Sequence, residues 1–561
     1  MSGFAAHLDF GETPAADRLR AIAEAIAYRG PHRQGSRRVG ACTLMHSALW
    51  TTPEATREDQ PQRHVTRDIW LSADARVDNR PELTEKLDGA VRHPLDTDAD
   101  FLLAAYEHWG ADLLHHLVGD FAFVLWDAEL EELLVARDPV GVRPLFLAKT
   151  PQGVVAASTL PAVLAGVDGS RGIDETYLAG FLHGLPPLDR TIWSGVERLA
   201  PGHLCRIGRD GAVTERYWKP SLEPIDQPLE TSIEQVRSLF DEAVRCRLRT
   251  LDGVACDLSG GFDSSTVTAT AVQLGADVQA ISLVYRLDPE AFELSYVESV
   301  AERLGLTPNL IEADDLQTQD PVADIRKNRE PLFSVDATDT AARFDRASSL
   351  GCSVILAGVG GDELLFGSST DDSGVLRRWL RHVAERWTGT RPHGLVARAV
   401  LKRRARRAHR ERSWLHVPSP VWPGLKHVSN YEVPWNPPAY ELTDRLAAQS
   451  GVEVRYPFLD RRLIEFGLRL PEEQVRVGGE SRGLHRLSFG HRLPDGVSAR
   501  TDKAELTGSF SRRMSNAVKP QGAASALSAL GDRVDMEAVL LADPWYRWVA
   551  LSAGLFLSEC S

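Results

Sequence analysis

Two patterns of apolar spacing divide the chain. Up to about residue 220 the apolar residues come mainly in short runs bounded by turn residues. "FAFVLWD" (121–127), "LLVARD" (133–138) and "VVAAST" (154–159) predict strands. Among them, "DADFLLAAYEHWGADLLHHL" (98–117) carries apolar residues at helical spacing. This mixture predicts an α+β layered domain. "KPSLEPIDQP" (219–228), rich in proline and acid and without periodicity, reads as a linker. Beyond it the pattern alternates. A helix in "SIEQVRSLFDEAVRCRL" leads to a strand, "GVACDL", a glycine-rich loop and a helix, "SSTVTATAVQLG". A second strand, "VQAISLVY", a helix, "SYVESVAERLG", and a third strand, "CSVILA", follow. Such alternation predicts a parallel sheet wrapped by helices, with ligands bound beyond the carboxyl ends of its strands. The predicted organisation is a domain over 1–218, a linker over 219–230 and a second domain over 231–561.

Composition fits that reading and narrows it. The 561 residues are too many for one core, so two or three domains are expected. Hydrophobic content of 43% and charged content of 25% are those of an ordinary globular protein. A net charge of −14 argues against general affinity for nucleic acid or anionic lipid. Six cysteines without a CxxC pair predict reduced thiols and a cytoplasmic protein. The N-terminal segment lacks the basic start and apolar run of a signal peptide, and no window offers about twenty uninterrupted apolar residues for a membrane span. The most apolar stretch, "WVALSAGLFL" (548–557), reads as a buried helix. Residues 377–412 hold thirteen Lys and Arg against two Glu. They read either as a solvated helical face or as a docking surface for an acidic peptide or partner protein.

The chemistry concentrates in two loops. "LSGGFDSS" runs from Leu258 to Ser265 between a strand and a helix. Gly260 and Gly261 let backbone N–H groups approach an anion, and Ser259, Ser264 and Ser265 add hydroxyls. The helix that follows points its positive end at the same place, so pyrophosphate is the natural guest. Asp263 would repel phosphate without a cation between them, which implies Mg²⁺. No lysine follows the glycines, so this is not the GxxxxGK[ST] loop. "AGVGGDELLFG" (357–367) also ends a strand, and Asp362 supplies a second candidate carboxylate for magnesium.

"SGGFDSS" resembles the pyrophosphate loop of ATP pyrophosphatases. Several further segments, in order, resemble the asparagine synthetase superfamily. "GVGGDELLFG" resembles its GxGxDExFGG, and "GVEVRYPFLDRRLIEF" (451–466) its ExRxPFLD segment. In the first half, "YRGPHRQG" (28–35) resembles RGPDxxG, and "HLVGDFAFVLWD" (116–127) resembles LxGxFAFxxWD. "VARDPVGVRPLF" (135–146) resembles ARDxxGxRPLY, and "RLAPGHLCRI" (198–207) the late PPGH strand. The resemblance covers about residues 1–510. It implies an Ntn-type glutaminase-like sandwich followed by an α/β ATP-pyrophosphatase domain that uses ATP and Mg²⁺. Leu258 and Leu283 would flank adenine, Ala357 and Gly358 would lie against the nucleoside, and Gly360 and Gly361 would complete the cradle. Lys503, in "RTDKAELTGSF", matches a late lysine of the family. It would stabilise an oxyanion or the α-phosphate, unless it is simply a surface lysine. Arg455 and Tyr456 would either orient substrate or serve the fold. Glu293 stands where the family has an acid.

The departures set the expected function. Residue 2 is Ser where the glutaminases begin with a catalytic cysteine, and a serine alkoxide is far harder to form. "ADARVDN" (73–79) replaces the FNGEIYN that builds their oxyanion hole, so Asp74 stands for Asn and Ala75 for Gly. A carboxylate there repels an anionic intermediate. The first domain is therefore expected to keep its fold without glutaminase activity. Val359 stands where asparagine synthetases carry Glu and β-lactam synthetases Tyr, and it accepts no proton. The amine is then expected to come from a directly bound donor. This points to the lasso peptide cyclases, which join a peptide N-terminus to an Asp or Glu side chain as a macrolactam. β-Lactam synthetase-like ring closure and glutamine-hydrolysing asparagine synthesis are the alternatives. The partners this implies are a ribosomally made precursor core peptide, a leader peptidase and a leader-recognition protein. The insert 377–412 and the length beyond about 510 suit a large peptide substrate or partner proteins.

Overall fold

A computed structural model describes the chain except residues 12–13, 170, 185, 222, 289–291, 336, 362–363, 365–436, 478–481, 501–506, 519, 536–538, 540–543 and 561. The basic segment 377–412 therefore lies outside the described residues.

The first domain is a sandwich of two six-stranded antiparallel sheets with helices on both outer faces. The alternation of a strand builds its layers. Along Gly3–Asp9, Phe4, Ala6 and Leu8 point between the sheets, where they meet Ala122, Val124 and Trp126. Ala5 points outward, under the helices Ala16–Ala27 and Leu160–Gly166. Along Gly119–Asp127 the alternate set, Phe121, Phe123 and Leu125, packs under the helix Asp98–Trp109. Both faces are covered, which is why "FAFVLWD" is a continuous apolar run. The helix expected over 98–117 stops at Trp109, because Gly110 adopts φ +57°. A short turn, Leu113–His116, completes the segment. Thr97 and Asp100 cap its start reciprocally.

The second domain is a five-stranded parallel sheet. Its order is Asn309–Glu312, Val278–Val284, Gly253–Asp257, Cys352–Leu356, Glu453–Arg455. The three strands read from sequence are its centre, and the two short outer ones were not foreseen. From Gly253–Asp257 the chain winds outward through two strands, then returns to build the other side. The reversal falls between Gly253–Asp257 and Cys352–Leu356, which is where such sheets open a ligand crevice. The expected linker is pinned rather than loose. Ile225 N donates to Arg469 O at 2.8 Å, and the Trp218 indole donates to Glu465 at 2.7 Å.

The described residues beyond about 510 find a partner within the chain. The described helices Pro520–Ala529 and Pro544–Cys560 close over the first domain's helix Glu175–Leu182, in one shared apolar cluster. Trp193 meets Phe556 edge to face at 5.5 Å. "WVALSAGLFL" is indeed a buried helix. This length is occupied by the protein itself, because its apolar face needs the first domain for cover. Among the described residues no helix is long and apolar enough to cross a membrane. The two terminal helices pack so closely that a Cβ on Gly554 would run into the Ala526 backbone. Gly554→Ala is expected to cost about 1–3 kcal/mol and to lower the thermal midpoint. Gly496→Ala, with open space around it, is expected to leave the midpoint in place. Differential scanning fluorimetry of the two variants checks this.

Candidate active site

The two glycine-rich loops leave adjacent strands and meet at the point where the sheet reverses. Gly260 has φ +76° and Gly360 φ +100°, conformations that favour glycine. Their neighbours leave no room either. A Cβ on Gly360 would lie 2.5 Å from Leu459 Cδ2, and one on Gly260 2.9 Å from Tyr296 Cβ. A Cβ on Gly358 would lie 2.6 Å from Ser264 N, and one on Gly361 2.7 Å from the Asp263 carboxyl carbon. The loops thus touch backbone to backbone, with Asp263 at the seam.

Within the first loop the hydroxyls hold each other. Ser259 Oγ and Ser264 Oγ are 2.9 Å apart, and Gly261 N donates to Ser259 Oγ at 3.3 Å. Behind them begins the helix Phe262–Gln273, its amino end toward the loop. Ser265 is different. It lies in the first turn of this helix, fully buried, and its Oγ has no hydrogen-bond partner among the described residues. Leu258 and Leu283 end neighbouring strands as expected. The Leu258 side chain is fully buried, so it can flank a base only through its backbone. Ala357 is buried and Val359 is 43% exposed at the loop's surface. Asp362 and Lys503 lie outside the described residues.

Asp263 is held by groups the sequence did not announce. Arg482 Nη2 stands 3.4 Å from Oδ2, and His485 Nδ1 stands 3.3 Å from Oδ1. His485 is fully buried in a box of Phe262, Phe458 and Phe489. Burial, with Arg482 and Arg486 nearby, keeps its pKa well below the usual value, so it is neutral. Arg482 has φ +62°, a backbone state that nothing in the sequence signals for an arginine. Burial pushes the Asp263 carboxyl up to about 6 against the pull of Arg482. Its Oδ1 is buried without a hydrogen-bond partner. A divalent cation would satisfy that oxygen, so Asp263 fits the role of a magnesium ligand.

Arg455 and Tyr456 resolve the other way. Arg455 is fully buried and donates to Arg247 O at 2.8 Å, Arg249 O at 2.5 Å and Glu453 at 2.7 Å. Tyr456 is buried against Tyr440. Both side chains are enclosed by the protein, so their described contacts are with the fold. Glu293 is ion-paired with Arg500, whose guanidinium stacks on Tyr296 at 4.3 Å.

At the joint between the domains a cavity of about 30 Å³ lies beside Ser2, lined also by Met1, Asp74, Glu58 and Arg143 of the first domain and Glu453 of the second, and by no cysteine. Ser2 is held in place. Its N–H donates to Asp74 Oδ1 at 3.0 Å, and its Oγ accepts from Leu49 N at 3.1 Å. Asp74 is buried between Arg29 at 3.5 Å, Arg143 at 3.9 Å and the terminal ammonium at 3.8 Å. Burial alone would raise its pKa. Arg143, the ammonium and Arg29 outweigh burial and keep it an anion. Among the residues lining this cavity there is no thiol, and the Asp74 carboxylate stands beside Ser2 as a buried negative charge.

Comparison with known proteins now fixes the family. The Asparagine synthase model matches residues 235–539, and the Glutamine amidotransferase domain model matches 1–218. The chain belongs to the asparagine synthase family. It is 27% identical over 430 residues to the glutamine-hydrolysing asparagine synthetase 3 of Bacillus subtilis, covering 72% of this chain and 69% of that protein. It is 27% identical over 541 residues to a putative asparagine synthetase of Mycobacterium tuberculosis, covering 81% and 79%. The amidase chyE of Penicillium rubens is 26% identical over 370 residues, covering 62% and 54%. Family members are ATP-dependent, AMP-forming amide ligases, and the glutaminase-like sandwich followed by a parallel-sheet ATP-pyrophosphatase domain is their fold.

A magnesium ligand must be ionised, so affinity should follow the titration of Asp263. Between pH 5 and 7 the ionised fraction across a pKa of about 6 rises about tenfold. Magnesium-dependent ATP affinity is expected to strengthen by a similar factor. Asp263→Asn is expected to weaken it and flatten the profile. Calorimetric titration with and without magnesium checks both.

Proposed function

We propose that this chain is an ATP-dependent amide ligase whose amine comes from a directly bound substrate rather than from glutamine. The observation that carries the reading is the buried Asp74 anion beside Ser2, ringed by Arg29 and Arg143, in the position of a glutaminase centre. A serine in place of a thiol and a carboxylate in place of an oxyanion donor would remove both halves of that chemistry.

The proposed reaction has two steps. The substrate's carboxylate attacks the α-phosphorus of ATP, and pyrophosphate leaves to give an acyl-adenylate. The loop Ser259–Ser264 and the helix start behind it would cradle the pyrophosphate. Asp263, with Asp362 as its proposed companion, would hold magnesium, which offsets charge on the leaving group. An amine then attacks the acyl carbon, losing a proton, and AMP leaves. Lys503 is proposed to stabilise the charge that develops. In this reading the protein contributes chiefly positioning and exclusion of water from a hydrolysable adenylate.

The finer proposal is a lasso peptide cyclase, with an Asp or Glu side chain as the acid and the same peptide's N-terminus as the amine. Val359 supports it, being exposed at the loop and unable to take a proton from a small free amine. A second reading, asparagine synthesis, is favoured by the names of the relatives. One experiment separates them. The protein is incubated with MgATP and either a leaderless core peptide from a neighbouring precursor gene, together with its leader peptidase, or aspartate with ammonia. The cyclase reading expects a peptide lighter by one water and an equivalent of AMP. Asparagine and AMP formed from aspartate, with the peptide unchanged, would replace it by the second reading.

A further inference from the structure

On the proposed function the first domain holds no working glutaminase, yet buried charge joins it to the parallel sheet. The centre of the joint is Glu453, in the short strand Glu453–Arg455 at the edge of the parallel sheet. Its carboxylate takes Arg76 at 3.2 Å, Thr51 Oγ1 at 2.5 Å, Arg143, and Arg455 at 2.7 Å. The first three belong to the first domain. All four groups are at least nine-tenths buried.

The strand they grip touches the second ATP loop directly. It pairs with Cys352–Leu356 through Val354–Glu453, Ile355–Val454 and Leu356–Arg455. One residue further, Ala357 N donates to Arg455 O at 3.0 Å. Ala357 opens the loop Ala357–Gly361. The chain after Arg455 then brings Phe458 and Leu459 against Gly360. Asp460 closes the segment and is itself anchored by Arg247 at 2.8 Å, which also faces Asp78 and Asp120 of the first domain at 3.6 Å. Both ends of residues 453–460 are therefore fixed by ions that span the domains, and the middle braces the loop. A three-residue edge strand has little pairing of its own to hold it, so its position depends on these side chains.

We infer that Arg76 and Arg143 are positioning residues for the ATP site, acting through Glu453 and the strand Glu453–Arg455 on the loop Ala357–Gly361. The first domain would then have kept its fold because it sets that loop. The inference rests on the ATP reading only for its consequence. The physical link can be measured without nucleotide.

The test uses the full chain carrying Arg76→Met, Arg143→Met or the milder Thr51→Val, with Arg143→Lys as the conservative rescue. Hydrogen exchange followed by mass spectrometry reads peptides over 352–361 and, as internal reference, over 253–257 and 119–127. The expected result is at least tenfold faster exchange over 352–361 in either methionine variant, with the references unchanged. Arg143→Lys should recover most of it, and Thr51→Val should give a smaller change of the same kind. In parallel, KM for ATP should rise about tenfold with kcat nearly constant. Exchange over 352–361 that stays at the wild-type rate in folded variants would overturn the inference. So would acceleration spread equally over all peptides, which would mean general loosening. If a methionine variant does not fold, Thr51→Val decides by the same criterion. Loss of ATP binding by the wild type with the exchange result intact would fault the ATP reading and leave the link standing.

Discussion

The arrangement depends on a buried set of charges at the joint between the domains. Arg29, Asp74, Arg76, Arg143, Glu453, Arg455, Arg247 and Asp444, which pairs with Arg29 at 2.6 Å, are all at most 4% exposed. Removing one partner from such a set leaves an uncompensated charge, at a cost of roughly 3–5 kcal/mol. The set as a whole is weak support for stability, since well-packed apolar residues of the same volume often do as well. What it adds is register. A guanidinium must meet its carboxylate at hydrogen-bond distance and in a fixed plane, so strand Glu453–Arg455 cannot slide against the first domain. The apolar contact made by the helices Pro520–Ala529 and Pro544–Cys560 supplies burial. The ions supply position.

On the proposed reading, that view gives a reason for a glutaminase fold to persist without its chemistry. The same neighbourhood contains Ser2, Asp74 and the ions that reach Glu453. Arg143 faces Asp74 on one side and Glu453 on the other. Restoring Asn at 74 would remove a charge from a network that holds the ATP sheet. The proposed loss of glutamine chemistry and the proposed bracing of the sheet would thus be two consequences of one set of side chains.

Much of this was legible in sequence, and the exceptions have physical reasons. The central strands showed as β-branched apolar runs because a parallel sheet is buried on both faces. The two ATP loops showed because glycine is favoured there: Gly260 and Gly360 have positive φ, Gly358 lies against the Asp263–Ser264 backbone, and Gly361 lies against the Asp263 side chain. The edge strand Glu453–Arg455 did not show, since charged residues in a three-residue run read as loop. Its one signal was the spacing of Glu453 and Arg455, which puts both on the same face. His485 and Arg482 come to Asp263 from about 220 residues further along the chain, a distance no local pattern bridges. Arg455 and Tyr456, read as either substrate contacts or scaffold, are both buried among partners that no local pattern reveals. The tail beyond residue 510 was recognised as a buried helix, but not that it covers the first domain.

The central claim is that no nitrogen passes from glutamine to the product. The most direct measurement follows the label from glutamine carrying heavy nitrogen in its amide, supplied with MgATP and each candidate acid. The account predicts that all amide products carry nitrogen of natural abundance and that labelled ammonia does not accumulate above the enzyme-free rate. Labelled nitrogen in a product amide would contradict it and restore the first domain as a working glutaminase.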